Sequence, residues 1–285
     1  MAIQPIYYNI MLCLVIALLA EARPLISHAR LKKIDGHPYR LYEGEQLRLI
    51  VSGIGKVAAG SAVAYQQALL EEPIAAWLNV GVAGHHSEEL GSALLAYKVI
   101  DEATDKTFYP TFSSPPPCDT TQLITVDQVQ GGYPDHSGVD MEASGFCATA
   151  QRFTSSELVH CLKVVSDNPQ STVSSLDEKK ISRLIEEQLD LVDEFTTPLQ
   201  DLSAELASLR ADPPYFAELL ERWQFTVTQQ HQLRDLLIRW QTLTPANPIP
   251  VDDLQNLKHR ADVLVQLQNQ LDQTTLVLTS TESRQ

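Results

Sequence analysis

The first half of the sequence alternates short apolar runs with longer helix-like stretches. The runs have the length of buried strands, and their apolar character on both faces is typical of a parallel sheet. Two helix-like stretches, Lys56–Leu70 and Ala143–Phe153, lie between some of them. This alternation predicts an α/β fold with a mixed, largely parallel sheet. The predicted strands are Ile10–Leu19, Leu47–Val51, Ala75–Val82, Ala93–Ile100, Gln122–Val126 and Cys161–Val165.

From about residue 174 the pattern becomes helical. Apolar residues recur on one helical face between Ile181 and Val192, and prolines divide the rest into several helices. We therefore expect an α/β domain over 1–173 and an all-α region over 174–285, which either packs as a small bundle or binds a protein partner. The last predicted helix has a heptad-like seam, interrupted by Gln268 and formed by Leu254, Leu257, Ala261, Leu264 and Leu271.

The apolar run Ile10–Ala20 resembles the core of a signal peptide. No Lys or Arg precedes it, and it is too short to span a bilayer. We interpret it as the first buried strand, with a signal peptide as the alternative.

Composition narrows the function classes. Hydrophobic residues make up 44% and charged residues 20% of the chain, as in ordinary globular proteins. The formal net charge of -15 disfavours nucleic acid as a partner, because an acidic surface repels phosphate backbones. The four cysteines form no C-x-x-C pair and no zinc-ligand spacing, and Cys13 and Cys161 lie in apolar runs. We expect a cytoplasmic protein with buried thiols and neither a bound metal nor a membrane partner.

Glycines cluster where the predicted strands end, which is where ligands bind in open α/β folds. The stretch that begins at Ser52 reads S-G-I-G-K-V-A-A and matches the dinucleotide pattern G-x-G-x-x-A. No acidic residue ends a second strand at the expected distance, and Val57 breaks the P-loop pattern. A ligand-binding helix N-terminus and a tight structural turn both remain open, with a dinucleotide-dependent oxidoreductase as the weakest alternative.

Three further motifs carry candidate chemistry. After Asn79 the chain reads N-V-G-V-A-G-H-H, whose adjacent histidines face different directions and form no metal pair. Glu142, in V-D-M-E-A, has a carboxylate that accepts two hydroxyl hydrogen bonds, although a helix cap is the alternative. Asp167 ends a predicted strand, where it is either a general acid or a turn former.

The order and spacing of these motifs resemble the superfamily of purine nucleoside phosphorylases and methylthioadenosine/S-adenosylhomocysteine nucleosidases. The resemblance covers about residues 11 to 170 and rests on Ala17–Ile26, S-G-I-G-K-V-A-A, V-G-V-A-G, V-D-M-E-A and V-S-D. It implies a three-layer α/β domain that cleaves the N-glycosidic bond of a purine nucleoside. It implies no cofactor, with inorganic phosphate as co-substrate if the enzyme is a phosphorylase, and a homodimer.

The resemblance also implies the roles of individual residues. Glu21 falls where the nucleosidases keep the carboxylate that activates water, which favours hydrolysis over phosphorolysis. Asp167 falls where the leaving base is protonated, and Lys163 takes the place of an Arg near the nucleophile. Glu142 falls where the ribose hydroxyls are held. The other substrate contacts implied are Met141, Gly81, Val82, Ala83, Gly84 and Ser166.

The sequence departs from the superfamily pattern in three places. Val82 replaces a Ser or Thr, and Lys163 replaces an Arg and so lacks its planar fork. The segment from Phe108 to Gly138, which builds the base pocket in the superfamily, is short. Tyr133 and Phe108 are the two candidates for the aromatic residue that stacks on the base. The alternative function is therefore a degenerate nucleosidase fold that senses a ligand or acts as a scaffold, with a partner-binding helical tail.

Overall fold

The computed structural model describes residues 11–70, 75–128, 132–171, 176–210, 212–244, 249 and 251–273. The chain divides into two compact units between Leu209 and Arg210. The predicted boundary at 173/174 marks the change from strands to helices, whereas the packing boundary lies later. The reason is that apolar residues of the next two helices, including Ile185 and Phe195, join the core of the first unit.

The first unit is built on a mixed sheet in which every predicted strand is present. Its strands are β1 (Met11–Ile16), β2 (Lys32–Ile34), β3 (Arg40–Glu43), β4 (Leu47–Val51), β5 (Ala75–His85), β6 (Ala93–Asp101), β7 (Thr107–Phe108), β8 (Thr120–Thr125), β9 (Ser137–Asp140) and β10 (Val159–Asp167). The predicted first strand runs only to Ile16, since a helix begins at Leu19. The residues before Met11, including the predicted start at Ile10, lie outside the described part.

Strand pairing closes part of the sheet into a barrel. Parallel pairing joins β4 to β1, β1 to β5 and β5 to β10. From β10 the sheet continues through β6, β8 and β9, and β9 then pairs back onto β5. As a result β5 lies at the junction, and its carboxyl end meets the ends of β9 and β10.

Helices cover both faces of this sheet, which gives the predicted three layers. They are α1 (Leu19–His28), α2 (Lys56–Ala68), α3 (Ala143–Ala150), α4 (Glu178–Glu186) and α5 (Leu189–Arg210). The side chains of β1 alternate between the two cores: Leu14 packs with residues of α1, α4 and α5, while Val15 packs with residues of α2 and α3. Asp177 is the N-cap of α4, because its carboxylate accepts from Lys180 N–H.

The cysteine predictions agree with this core. Cys13, Cys147 and Cys161 are buried free thiols, and Cys118 is partly buried. Burial raises the pKa of Cys13 to about 12, so this thiol stays protonated and inert at neutral pH.

The second unit has its own core, which contains two of the three tryptophans of the chain, Trp223 and Trp240. Its helices are α6 (Phe216–Arg222), α7 (Val227–Leu243), α8 (Val251–Leu254) and α9 (Arg260–Asp272). Of the predicted seam, Leu254, Leu257, Leu264 and Leu271 belong to this core or pack against it, but they do not lie on one continuous helix. The last helix begins only at Arg260, and its buried residues are Val263, Leu267 and Leu271. Ala261, the remaining seam residue, is exposed.

Candidate active site

Glu21 is held in the first turn of α1 with its carboxylate turned into the molecule. One carboxylate oxygen accepts Leu18 N–H at 2.8 Å, and the other accepts Val82 N–H at 2.9 Å. The side chain is buried, and burial raises the pKa of Glu21 to about 7 against the opposing effect of these N–H groups. A carboxylate with that pKa is poised to accept a proton near neutral pH.

Lys163 lies on the adjacent strand β10 and is fully enclosed. Its Nζ is 2.8 Å from Asp140 Oδ2 and 4.0 Å from Glu142 Oε2. Burial alone lowers the pKa of Lys163, but the negative charges of Asp140 and Glu142 outweigh it and hold the pKa above its ordinary value. The side chain is therefore a buried ammonium ion.

Glu142 occupies the N-cap position of α3, but its side chain makes no capping hydrogen bond there. Its Oε1 accepts Gly55 N–H at 2.9 Å, in the glycine loop that precedes α2. Gly55 has φ 103°, a left-handed backbone that favours glycine and turns this N–H toward the carboxylate. Burial raises the pKa of Glu142, while the Lys163 charge lowers it.

Gly81 on β5 marks the point where two of these groups converge. A Cβ atom added there would lie 2.9 Å from Glu21 Oε1 and 3.6 Å from Lys163 Nζ. Both polar side chains therefore cover the strand at a position where any larger residue would displace them.

Asp167 ends β10 beside Gly84. Its Oδ1 accepts the Ser166 hydroxyl at 2.5 Å, and its Oδ2 accepts the Tyr133 hydroxyl at 2.6 Å. A β-bulge between Val165 and Asp167 shifts the register of β10 against β5, which is how Asp167 comes to pair with Gly84. Burial and the neighbouring Asp167 raise the pKa of Tyr133 to about 12, so the phenol is a hydrogen-bond donor.

The two groups of side chains are spaced along one strand. Lys163 pairs with Gly81 and Asp167 pairs with Gly84, so the two positions are three residues of β5 apart, about 10 Å.

The structure brings most of the predicted site residues together. Glu21, Lys163 and Glu142 meet near Gly81, and Ser166 and Asp167 lie at Gly84. The other three predicted residues are Val82, Ala83 and Met141. Val82 donates its N–H to Glu21, and the Ala83 carbonyl accepts from the Ser166 hydroxyl at 3.4 Å. Met141 is partly buried and lies in sequence between Asp140 and Glu142.

Two residues of the site have roles that the sequence does not predict. The motif V-D-M-E-A shows Asp140 only as one of two acids beside a Met, yet it is the ion-pair partner of Lys163. Of the two aromatic candidates, Tyr133 contacts Asp167, whereas Phe108 packs against the core between the sheet and α2 and α3. Arg23 points away and pairs on the surface with Glu178.

The two histidines after Gly84 face different directions, as predicted. His85 is buried, and its Nδ1 accepts Ser87 N–H and Glu88 N–H, which identifies it as a structural residue of the turn. His86 lies on the surface near Asp135. Across the described residues, no cluster of three or more His, Cys, Asp or Glu side chains is arranged to hold a metal ion. No helix in the described part of the chain has the length and apolar character to cross a membrane.

The first unit shares its fold with solved nucleosidase structures. Similar solved structures include the 5′-methylthioadenosine nucleosidase of Arabidopsis thaliana, with a TM-score of 0.58 and 18% identity over 67% of this chain and 96% of that one. The futalosine hydrolase of Helicobacter pylori has a TM-score of 0.54 and 13% identity over 67% of this chain and 98% of that one.

A third similar structure is the 5′-methylthioadenosine/S-adenosylhomocysteine nucleosidase of Helicobacter pylori, with a TM-score of 0.54 and 13% identity over 67% of this chain and 99% of that one. In sequence comparisons, no protein-family profile and no curated protein matches the chain. At identities this low, the structural similarity establishes the shared fold alone. The function has to be argued from the site itself.

Proposed function

We propose that the first unit hydrolyses the N-glycosidic bond of a nucleoside, with purine nucleosides as the substrate class. The observation that carries the proposal is the grouping of Glu21, Lys163 and Glu142 at Gly81, with Asp167 beside Gly84, three residues further along β5. The solved structures with this fold include nucleosidases and a futalosine hydrolase, which supports the same reaction class.

The proposed mechanism assigns one step to each acid. Cleavage of the bond passes through an oxocarbenium-like sugar, as in glycoside hydrolysis. Glu142 accepts the hydroxyls of the ribose, because a carboxylate has several lone pairs and only Oε1 is used by Gly55. Glu21 removes the proton of the attacking water, and Asp167, which must enter the step in its protonated form, donates that proton to the departing base and is left ionised. For that step the Tyr133 hydroxyl exchanges its place on Oδ2 with the base.

Charge favours water over phosphate as the nucleophile. Among the described residues, the site near Gly81 contains one ammonium group, Lys163, and three carboxyl groups, Glu21, Asp140 and Glu142. An incoming phosphate dianion would meet more negative than positive charge. The one arginine of α1, Arg23, does not compensate, because it is on the surface.

The proposal is tested by incubating the purified protein with purine and pyrimidine nucleosides, with and without inorganic phosphate, and separating the products by chromatography. We expect free base and free pentose from a purine nucleoside at a rate that phosphate does not change. Pentose 1-phosphate as the main product would contradict hydrolysis.

The pH dependence should report Glu21. Because burial raises the pKa of Glu21 to about 7 and the base must be ionised, kcat/KM should rise with pH through about 7 and be lost below it. The measurement is a pH profile of base release for the wild type, for Glu21→Gln and for the exposed control Glu178→Gln. Glu178→Gln should keep the profile, whereas Glu21→Gln should lose most of the activity. A wild-type profile flat between about pH 5 and 8 would exclude Glu21 as the base.

A ligand-sensing or scaffold role is the second candidate, and one contact favours it. The Tyr133 hydroxyl donates to the Asp167 oxygen that a leaving base needs, so the protein itself supplies a partner for that oxygen. Turnover of a purine nucleoside at about 1 per second or faster would exclude this alternative.

A further inference from the structure

Three donor groups near Gly81 have the chemistry to bind an anion, yet each of them contacts a carboxylate of this chain. Val82 N–H donates to Glu21 at 2.9 Å, and Gly55 N–H donates to Glu142 at 2.9 Å. The Lys163 ammonium contacts Asp140 at 2.8 Å. Amides of a glycine loop beside a lysine ordinarily form a phosphate-binding site. Here the carboxylates of Glu21, Glu142 and Asp140 take the place of the phosphate.

Asp140 differs from the other two acids because it cannot reach a substrate. Its side chain is 0% exposed. Oδ1 accepts the Thr125 hydroxyl at 2.7 Å, and Oδ2 accepts Ala143 N–H at 2.8 Å beside the Lys163 contact. Both oxygens are thus committed to protein donors, and the contribution of Asp140 to the site is its charge at Lys163.

A phosphate ion at the nucleophile position would need the Lys163 ammonium, since the two backbone donors are neutral and already bonded. With Asp140 2.8 Å away, that ammonium is compensated before any ligand arrives. The second carboxylate, Glu142, lies 4.0 Å from it and adds to the repulsion of an anion.

We propose that Asp140 is a specificity-determining residue that excludes inorganic phosphate from the nucleophile position, so that water alone attacks. The interpretation as nucleophile selection rests on the proposed function, but the exclusion of phosphate is a property of the site that can be measured without a nucleoside.

The experiment measures binding of inorganic phosphate by isothermal titration calorimetry at neutral pH. The proteins are the wild type, Asp140→Asn, Asp140→Glu and Thr125→Val. We expect no saturable binding to the wild type below about 10 mM and binding at least about tenfold tighter to Asp140→Asn, because one compensating charge is removed. Asp140→Glu keeps the charge, and Thr125→Val removes a hydrogen bond to Asp140 without changing any charge, so both should behave as the wild type.

Circular dichroism establishes first that Asp140→Asn is folded, because this variant leaves a buried ammonium without its charged partner. Folded Asp140→Asn that binds phosphate no better than the wild type would overturn the proposal. Submillimolar phosphate binding to the wild type would overturn it as well, whether or not the variant folds. Failure of the wild type to cleave any nucleoside would remove the proposed function and leave the phosphate comparison standing.

Discussion

Asp167→Asn should slow base release by about 100- to 10,000-fold, which is the usual contribution of a general acid. The amide has the size and shape of the carboxyl group, but it has no acidic proton for the leaving base. The hydroxyls of Ser166 and Tyr133 can each form a hydrogen bond with the oxygen or the nitrogen of the new amide. The end of β10 should therefore keep its structure. The measurement is the steady-state rate of base release, together with a circular dichroism spectrum of the variant.

Asp105→Asn is a suitable control for the Asp167 variant. Asp105 lies on an exposed turn with φ 56°, a conformation that Asn adopts readily. We expect this control to keep the wild-type rate. If Asp167→Asn retained the wild-type rate as well, the general acid would have to be another group.

Lys163→Met should lower the free energy of unfolding of the first unit by about 3–5 kcal/mol, the usual cost of removing one partner of a buried ion pair. The variant leaves the Asp140 carboxylate, 0% exposed, without its cation. Urea denaturation measures the loss. Fluorescence then reports on the first unit if Trp223 and Trp240 are replaced by Phe, because Trp77 is buried in that unit.

Two comparisons isolate the ion pair. Lys106→Met makes the same substitution at an exposed position and should change the stability by less than about 0.5 kcal/mol. The double variant Lys163→Met with Asp140→Leu replaces the ion pair by an apolar pair, and it should be less destabilised than the sum of the two single changes. A loss below about 1 kcal/mol for Lys163→Met alone would show that the pair is dispensable for folding.

The sequence was sufficient to predict six of the ten strands in the described part of the chain, together with polar residues that end them. Buried parallel strands are apolar on both faces, so β4, β5 and β10 stand out as runs, and the polar residues at their ends are then candidates for the site. Asp167 is found in this way, whereas Glu21 follows from the resemblance of its surrounding motif to the nucleosidases.

Residues whose roles depend on non-local pairing could not be predicted. Asp140 and Glu142 differ by two positions, and only the closure of β9 onto β5 decides that Asp140 faces Lys163 while Glu142 reaches Gly55. Tyr133 is distant in sequence from Asp167 and follows no periodic pattern, so its hydrogen bond had no local signal.

The single continuous helix predicted for the seam is wrong for a related reason. Leucines spaced by three and four residues fit one continuous helix, but α8 ends at Leu254 and α9 begins at Arg260. The buried face of α9 is then set by packing in the core of the second unit, which selects Val263 and Leu267. Hydrophobic spacing alone does not show where a helix is interrupted.

The most direct test of the account is the reaction of the wild-type protein with purine nucleosides in phosphate-free buffer, followed by quantification of free base and free pentose. Hydrolysis by Glu21 and Asp167 predicts equal amounts of the two products, formed at about 1 per second or faster for a matching substrate. Absence of base release from every nucleoside tested, by a protein whose circular dichroism shows it to be folded, would contradict the proposed function.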